Sequence, residues 1–260
     1  MPTSKTTPTV EVLLHGDGFR TGQGSAAFCA TLLIIGATRT IVDTGHVGRR
    51  SPLVAALAER GLTPADVDNV VLTHTHWDHV QNADLFSNAR VLLHQWERLY
   101  ASAPHANDWA TPRWTSALLD SLEHVEAVED GFEIEPGVRL LHTPGHSAGT
   151  MAAIVDTAEG PVAVTGDGIQ NPGVAIAKRN ALVFWSEDDA RRSIERVLAE
   201  AEIIYPGHDL PFRMLKGGGT EYLAQRELTL FGVSGPGVEI SDAARPPFVM
   251  PGVETQRLPD

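Results

Sequence analysis

His74-Thr75-His76-Trp77-Asp78-His79 puts four side chains able to ligate a metal into six consecutive positions, straight after the apolar run Val70-Val71-Leu72. Side chains at i and i+2 of an extended segment point the same way, so His74 and His76 can grip one ion. A turn after them brings Asp78 and His79 round to face a second. Imidazole and carboxylate suit zinc, manganese, iron or cobalt, and the motif contains no thiolate. Four such residues directly behind a buried strand are hard to read as a surface accident.

Three further ligand candidates lie downstream, each closing a strand-like run and each preceded by glycine or followed by it: His146 in Thr143-Pro144-Gly145-His146, Asp167 in Thr165-Gly166-Asp167, and His208 in Pro206-Gly207-His208. The glycines are expected to let backbone approach a crowded metal centre. Around these motifs strands and helices alternate, as in an α/β protein. Strands are expected at residues 10–14, 27–35, 40–42, 69–73, 90–94 and 203–205, and repeatedly within 132–165. Helices are expected at 51–60, at 95–101 and from a Ser186 cap to about 202, with a short one starting at Thr63. Residues 16–24 and 104–114 read as loops, and 221–228 as a short helix-like piece. Residues 1–215 form the main domain, two βα halves meeting near 125, and 216–260 an appendage acting as a lid or a dimer arm.

The chain has 260 residues with 20 basic and 33 acidic side chains, a net charge of −13. A field of that sign repels phosphate backbones and argues against a nucleic-acid partner, although bound divalent ions can reverse it locally. The single cysteine, Cys29, lies in an apolar run and reads as a small buried hydrophobe. No stretch has signal-peptide character or the roughly 20 apolar residues that span a bilayer, so a cytoplasmic protein without membrane contact is expected.

At these motifs the sequence resembles the metallo-β-lactamase superfamily, from about Leu13 to Met214. The resemblance implies a four-layer αββα sandwich with a dinuclear metal site, zinc first among the candidates. His74, His76 and His146 would hold the first ion, Asp78, His79 and His208 the second, and Asp167 would bridge them. Asp43, in Val42-Asp43-Thr44-Gly45, would hydrogen-bond a ligand, and Asp78 would also carry a proton during turnover. Two ions sharing a carboxylate and a solvent molecule generate a bridging hydroxide at neutral pH.

In motif the chain is most similar to the N-acyl-homoserine lactonase-like group, which implies cleavage of a lactone or ester of a small acyl substrate. It departs where that group carries a tyrosine after the bridging aspartate: here Gly168-Ile169-Gln170-Asn171 stand. Other expectations are a glyoxalase II-like thioesterase, a metal-dependent RNA phosphodiesterase, a persulfide dioxygenase with one iron on His74, His146 and Asp167, and a binding module without catalysis. His15, Phe19, Trp77, Trp109 and Phe184 are candidate substrate contacts. His94 and His142 read as core or sheet-face residues, and Trp114, Trp185 and also Trp109 read mostly as core.

Overall fold

A computed structural model describes residues 7–21 and 24–226. The first half runs β1 (Thr9–Leu14), β2 (Asp17–Thr21), β3 (Gly24–Phe28), β4 (Thr31–Ile35), β5 (Arg39–Val42), α1 (Arg50–Ala58), β6 (Asn69–Val71), α2 (Trp77–Val80), β7 (Arg90–His94), α3 (Gln95–Tyr100), α4 (Trp114–Ser121) and β8 (Val125–Val128). The second runs β9 (Glu133–Glu135), β10 (Val138–His142), β11 (Met151–Thr157), β12 (Gly160–Gly166), α5 (Pro172–Ala177), α6 (Glu187–Glu200), β13 (Ile203–Pro206), β14 (Phe212–Met214) and β15 (Thr220–Tyr222).

Strands β1, β4, β5, β6, β7 and β8 lie in that order in one sheet; β15, β14, β13, β12, β11, β10 and β9 make the other. Pairing from β5 through β8 is parallel, and so is β12 with β13. Parallel neighbours need crossovers, and these lay helices on a sheet face.

Strand alternation then sorts the apolar residues into three cores. Along β4, Leu32 and Ile34 face the opposite sheet while Leu33 faces the helices; along β11, Met151, Ala153 and Val155 meet the first sheet while Ala152 and Ile154 turn outward. Leu53 and Leu57 of α1 with Leu119 of α4 cover the first sheet. Val174 of α5 with Ile194 and Val197 of α6 cover the second. Helix, sheet, sheet, helix is the αββα sandwich that the sequence implied.

Several local expectations change. Where a loop was expected over 16–24, Asp17–Thr21 pairs antiparallel with Gly24–Phe28 as β2 and β3, because glycines hide the alternation of a two-stranded ribbon. The run 27–35 is two strands, since Ala30 N–H donates to Gly207 O at 2.7 Å and Arg49 holds the Cys29 carbonyl at 2.6 Å, turning the chain between hairpin and sheet. Where a helix was expected from 221, Thr220–Tyr222 instead pairs antiparallel with β14, so the second sheet runs on past residue 215; residues 227–260 lie outside the described part. Trp109 and Trp114 are 56% and 44% exposed, not core, while Trp185 is half-buried against Tyr100. Cys29 is fully buried, as expected. Among the described residues no helix is long and apolar enough to cross a membrane.

His94 and His142 stack with ring centroids 3.7 Å apart, and the Nδ1 of His94 accepts from Trp96 N–H at the start of α3. Burial, then repulsion from His142, lowers His94 from 6.5 to about 4. The unfolded chain therefore takes up a proton between those values while the folded one does not. Stability should be complete above pH 6.5 and fall by about 1–3 kcal/mol as pH drops toward 4. His94→Asn keeps a capping acceptor; denaturant titrations across that window should show a shallower fall, and an unchanged slope would remove His94 from the account.

Candidate metal centre

The ligand candidates gather at one edge of the sandwich, beyond the carboxyl ends of strands from both sheets. After β6 the chain leaves the sheet at Thr73, whose N–H and hydroxyl both donate to Asp43 at 2.8 Å. Asp43 sits in the left-handed region at φ 58°, a conformation aspartate tolerates better than most residues. That turn aims its other contact at His79, whose Nδ1 donates to Asp43 Oδ2 at 2.7 Å. His74 and His76 follow in extended backbone, their rings 4.5 Å apart, and α2 carries Asp78 and His79. From the second half come His146 in the β10–β11 loop, Asp167 after β12 and His208 after β13.

The glycines beside these ligands do different jobs. A Cβ on Gly207 would lie 2.3 Å from Asp167 Oδ1, so its absence does admit the carboxylate. Gly145, at φ 137°, instead lies against Ala190 of α6; its smallness packs a helix rather than opening the metal centre.

All seven candidates converge. His74, His76, His146 and Asp167 offer ligand atoms that lie within 4.8 Å of one another, and so do Asp78, His79 and His208. His76 Nδ1 is 3.0 Å from His146 Nε2, and His146 Nε2 is 3.5 Å from Asp167 Oδ2. Asp167 Oδ1 lies 3.1 Å from His208 Nε2 and 3.4 Å from His79 Nε2, and Asp78 Oδ2 lies 3.5 Å from His208 Nε2. Ligands about 2.0–2.1 Å from a tetrahedral ion sit about 3.3 Å apart, close to these separations.

The hydrogen bonds choose the tautomers. His74 Nδ1 is 3.0 Å from Thr73 Oγ1, whose own proton goes to Asp43, so the ring donates. His76 Nε2 donates to Asp108 Oδ2 at 3.2 Å, His146 Nδ1 to Leu182 O at 2.6 Å, and His208 Nδ1 to Phe28 O at 3.2 Å. With His79 on Asp43, each of the five rings gives its outer N–H to an acceptor and turns its other nitrogen inward. His74 Nε2, His79 Nε2 and Asp167 Oδ1 are buried with no hydrogen-bond partner. Buried polar atoms normally find one, so this donor set fits divalent cations.

Ionisation follows the same division. Burial, reinforced by His79, His76 and His146, holds His74 well below its usual range, and burial with His76 lowers His146 to about 4. Burial alone would lower His76 too, but the Asp108 carboxylate overrides it and raises the ring. Burial likewise opposes charge on Asp167, yet His208 and His79 keep it far below the ordinary carboxylate range. Burial opposes charge on His79 and His208 as well, yet Cys29 and Asp43 raise the first and Asp167 the second; a cation binds the ionised carboxylates directly and displaces protons from the raised rings.

A cavity of about 240 Å³ opens beside the cluster. Trp77, Trp109 and Phe184 line it, together with Ala26, Ala27 and Leu182. Phe184 packs edge-on against His76 at 5.1 Å and near Trp109 at 6.2 Å. His15 is not at this wall: it is exposed, and its carbonyl is held by Arg49 at 2.9 Å. The side chain of Phe19 lies outside the described residues.

Sequence reading missed Asp108 and Gln170. Asp108 accepts from His76, Tyr100 Oη and Thr111 Oγ1 on one oxygen and from two backbone N–H groups on the other. Gln170 Nε2 donates to Asp167 Oδ2 at 2.9 Å, three residues after the carboxylate it steadies. An aspartate in a Pro/Asn/Trp-rich loop carries no motif, so nothing in the sequence singled it out.

Comparison with known proteins agrees with this geometry. The sequence model of the Metallo-beta-lactamase superfamily matches residues 26–208. Metallo-beta-lactamase domain-containing protein 1 of Xenopus laevis is 34% identical over 227 residues, 84% of this chain and 86% of that protein. An N-acyl homoserine lactonase of a Bacillus species is 29% identical over 168 residues, 61% of this chain and 62% of that protein. A solved N-acyl homoserine lactone hydrolase, with N-hexanoyl-L-homoserine at its catalytic metal centre, superposes with a TM-score of 0.62 at 20% identity, covering 80% of this chain and 94% of that one.

Proposed function

The chain belongs to the metallo-β-lactamase superfamily of metal-dependent hydrolases, and on that premise we propose that it opens a neutral lactone or ester of a small acyl group at a two-metal centre. His74, His76 and His146 would hold one ion and Asp78, His79 and His208 the other, with the two oxygens of Asp167 turned to different groups. When bound, such ions acidify water toward neutral pH and polarise the scissile carbonyl oxygen.

The chain's own groups supply the rest. The Asp43, Thr73, Asp108, Leu182 and Phe28 acceptors lock the rings in their ligating tautomers, which raises ligand basicity and costs nothing at the moment of reaction. Gln170 and Asn180 hold Asp167 by its Oδ2 and its carbonyl. Asp78 is 6% exposed and lines the cavity, where it is placed to take a proton and return it to the leaving alcohol. Trp77, Trp109, Leu182 and Phe184 give the acyl group an apolar wall.

The observation that carries the substrate class is the charge of that wall. Among the described residues no lysine or arginine lines the cavity, and the carboxylate of Asp17 at its mouth is held by Arg226. A glutathione thioester or RNA needs cationic partners for its carboxylates or phosphates; a neutral acyl substrate does not. A single-iron dioxygenase would leave Asp78, His79 and His208 without a role. The test is a panel on zinc-loaded protein: lactones of graded chain length, a nitrophenyl ester, a glutathione thioester, a cephalosporin and a single-stranded RNA. The highest kcat/KM should fall on a neutral lactone or ester; a preference for the thioester or the RNA would contradict the proposal.

A further inference from the structure

We infer that Glu97, a residue of α3 that lines no part of the cavity, is the positioning residue that fixes His76 against His146 and thereby sets the affinity of the first metal position. The inference rests on the two-metal reading above.

Glu97 is fully buried, yet among the described residues no lysine, arginine or histidine is bonded to its carboxylate. An ionised group in that setting is costly unless hydrogen bonds satisfy it. Four do, and they are divided by oxygen. Oε1 accepts from the N–H of Thr75 at 2.8 Å and from its hydroxyl at 2.7 Å. Oε2 accepts from the Ser147 hydroxyl at 2.7 Å and from Gly149 N–H at 2.9 Å. Thr75 stands between His74 and His76, and Ser147 follows His146. One carboxylate therefore ties the ligand loop of the first half to the ligand loop of the second.

The packing leaves little slack. A Cβ on Gly149 would lie 2.2 Å from the backbone nitrogen of Glu97, so α3 and the His146 loop are in direct contact there. Across this join, His76 Nδ1 and His146 Nε2 lie 3.0 Å apart, within hydrogen-bond distance. That separation depends on how the two loops are placed. Asp108 and Leu182 orient each ring singly; Glu97 grips both loops at once. A glutamine offers an acceptor on one side only and turns an NH2 toward donors on the other. Alanine releases both loops.

The test measures binding, not turnover. Glu97→Ala and Glu97→Gln are made in a His208→Ala background, which leaves the first group intact, and zinc is titrated in competition with a chromogenic chelator. Cobalt absorption reports ligand geometry, and thermal melts of the metal-free proteins report folding. Affinity should fall about 10–100-fold in Glu97→Ala and less in Glu97→Gln, with an altered cobalt spectrum. Should Glu97→Ala fail to fold, Ser147→Ala, which removes one of the four bonds, should show a smaller loss in the same direction. Lowered metal-free Tm with unchanged affinity and spectrum would show a merely structural role and overturn the inference. A background protein that binds no metal at all would overturn the two-metal reading with it.

Discussion

Replacing Asp78 with alanine should lower hydrolysis of a small lactone or ester by about 10²–10⁴-fold and reduce bound metal from two equivalents toward one. Asp78 is asked to do two things. Its Oδ2 lies 3.5 Å from His208 Nε2 and 3.8 Å from His79 Nε2, within the second group, and the side chain reaches the cavity where the leaving group must be protonated. Asp78→Asn separates the roles, because the amide can still ligate but cannot return a proton. It should keep more metal than alanine and remain nearly as slow. Wild-type turnover in metal-verified Asp78→Ala protein would remove Asp78 from the mechanism.

Loss of His146 should be as severe and should also be visible in stability. Its Nε2 faces both His76 and Asp167, and its Nδ1 ties the loop to Leu182. His146→Ala should empty the first position and abolish measurable hydrolysis. Occupying one site at 100 times its Kd adds about 2.7 kcal/mol to folding stability, which in a chain of this size moves Tm by about 5–10 °C. Zinc should raise the Tm of the wild-type protein by that order for each position filled, and chelation should reverse it. In His146→Ala the gain should shrink to the contribution of the second position; an undiminished gain would show that His146 is not a ligand.

What the sequence exposed and what it hid divide along a physical line. Ligand chemistry is legible because it needs particular residue types, and here these fall just past strand ends and in the short helix α2. Hence His74 to His79, His146, Asp167 and His208 announce themselves without reference to their neighbours. The apolar runs of β4, β6 and β7 were legible for a similar reason, since strands buried on both faces read as continuous hydrophobes. The supports were not legible. Asp108 and Glu97 are ordinary acids until the fold sets His76 beside one and Thr75 and Ser147 beside the other.

Tertiary contacts also broke local patterns. The run from Ala27 to Ile35 is apolar but for Thr31, and only the Gly207 and Arg49 contacts show why it divides into β3 and β4. The hairpin β2–β3 was hidden by its own glycines. Trp109 looked like core by composition and lies instead at the cavity, held there by Asp108, whose Oδ1 accepts the next residue's N–H at 2.9 Å.

Two groups of inward-facing ligand atoms that act together as one hydrolytic centre require an ion in each. Stepwise return of zinc to metal-depleted protein, with hydrolysis of a neutral lactone or nitrophenyl ester followed at each addition, tests it most directly. Activity should rise with zinc and saturate at two equivalents per chain. Full activity at one equivalent, or native protein carrying one iron per chain and hydrolysing neither substrate when zinc-loaded, would contradict it.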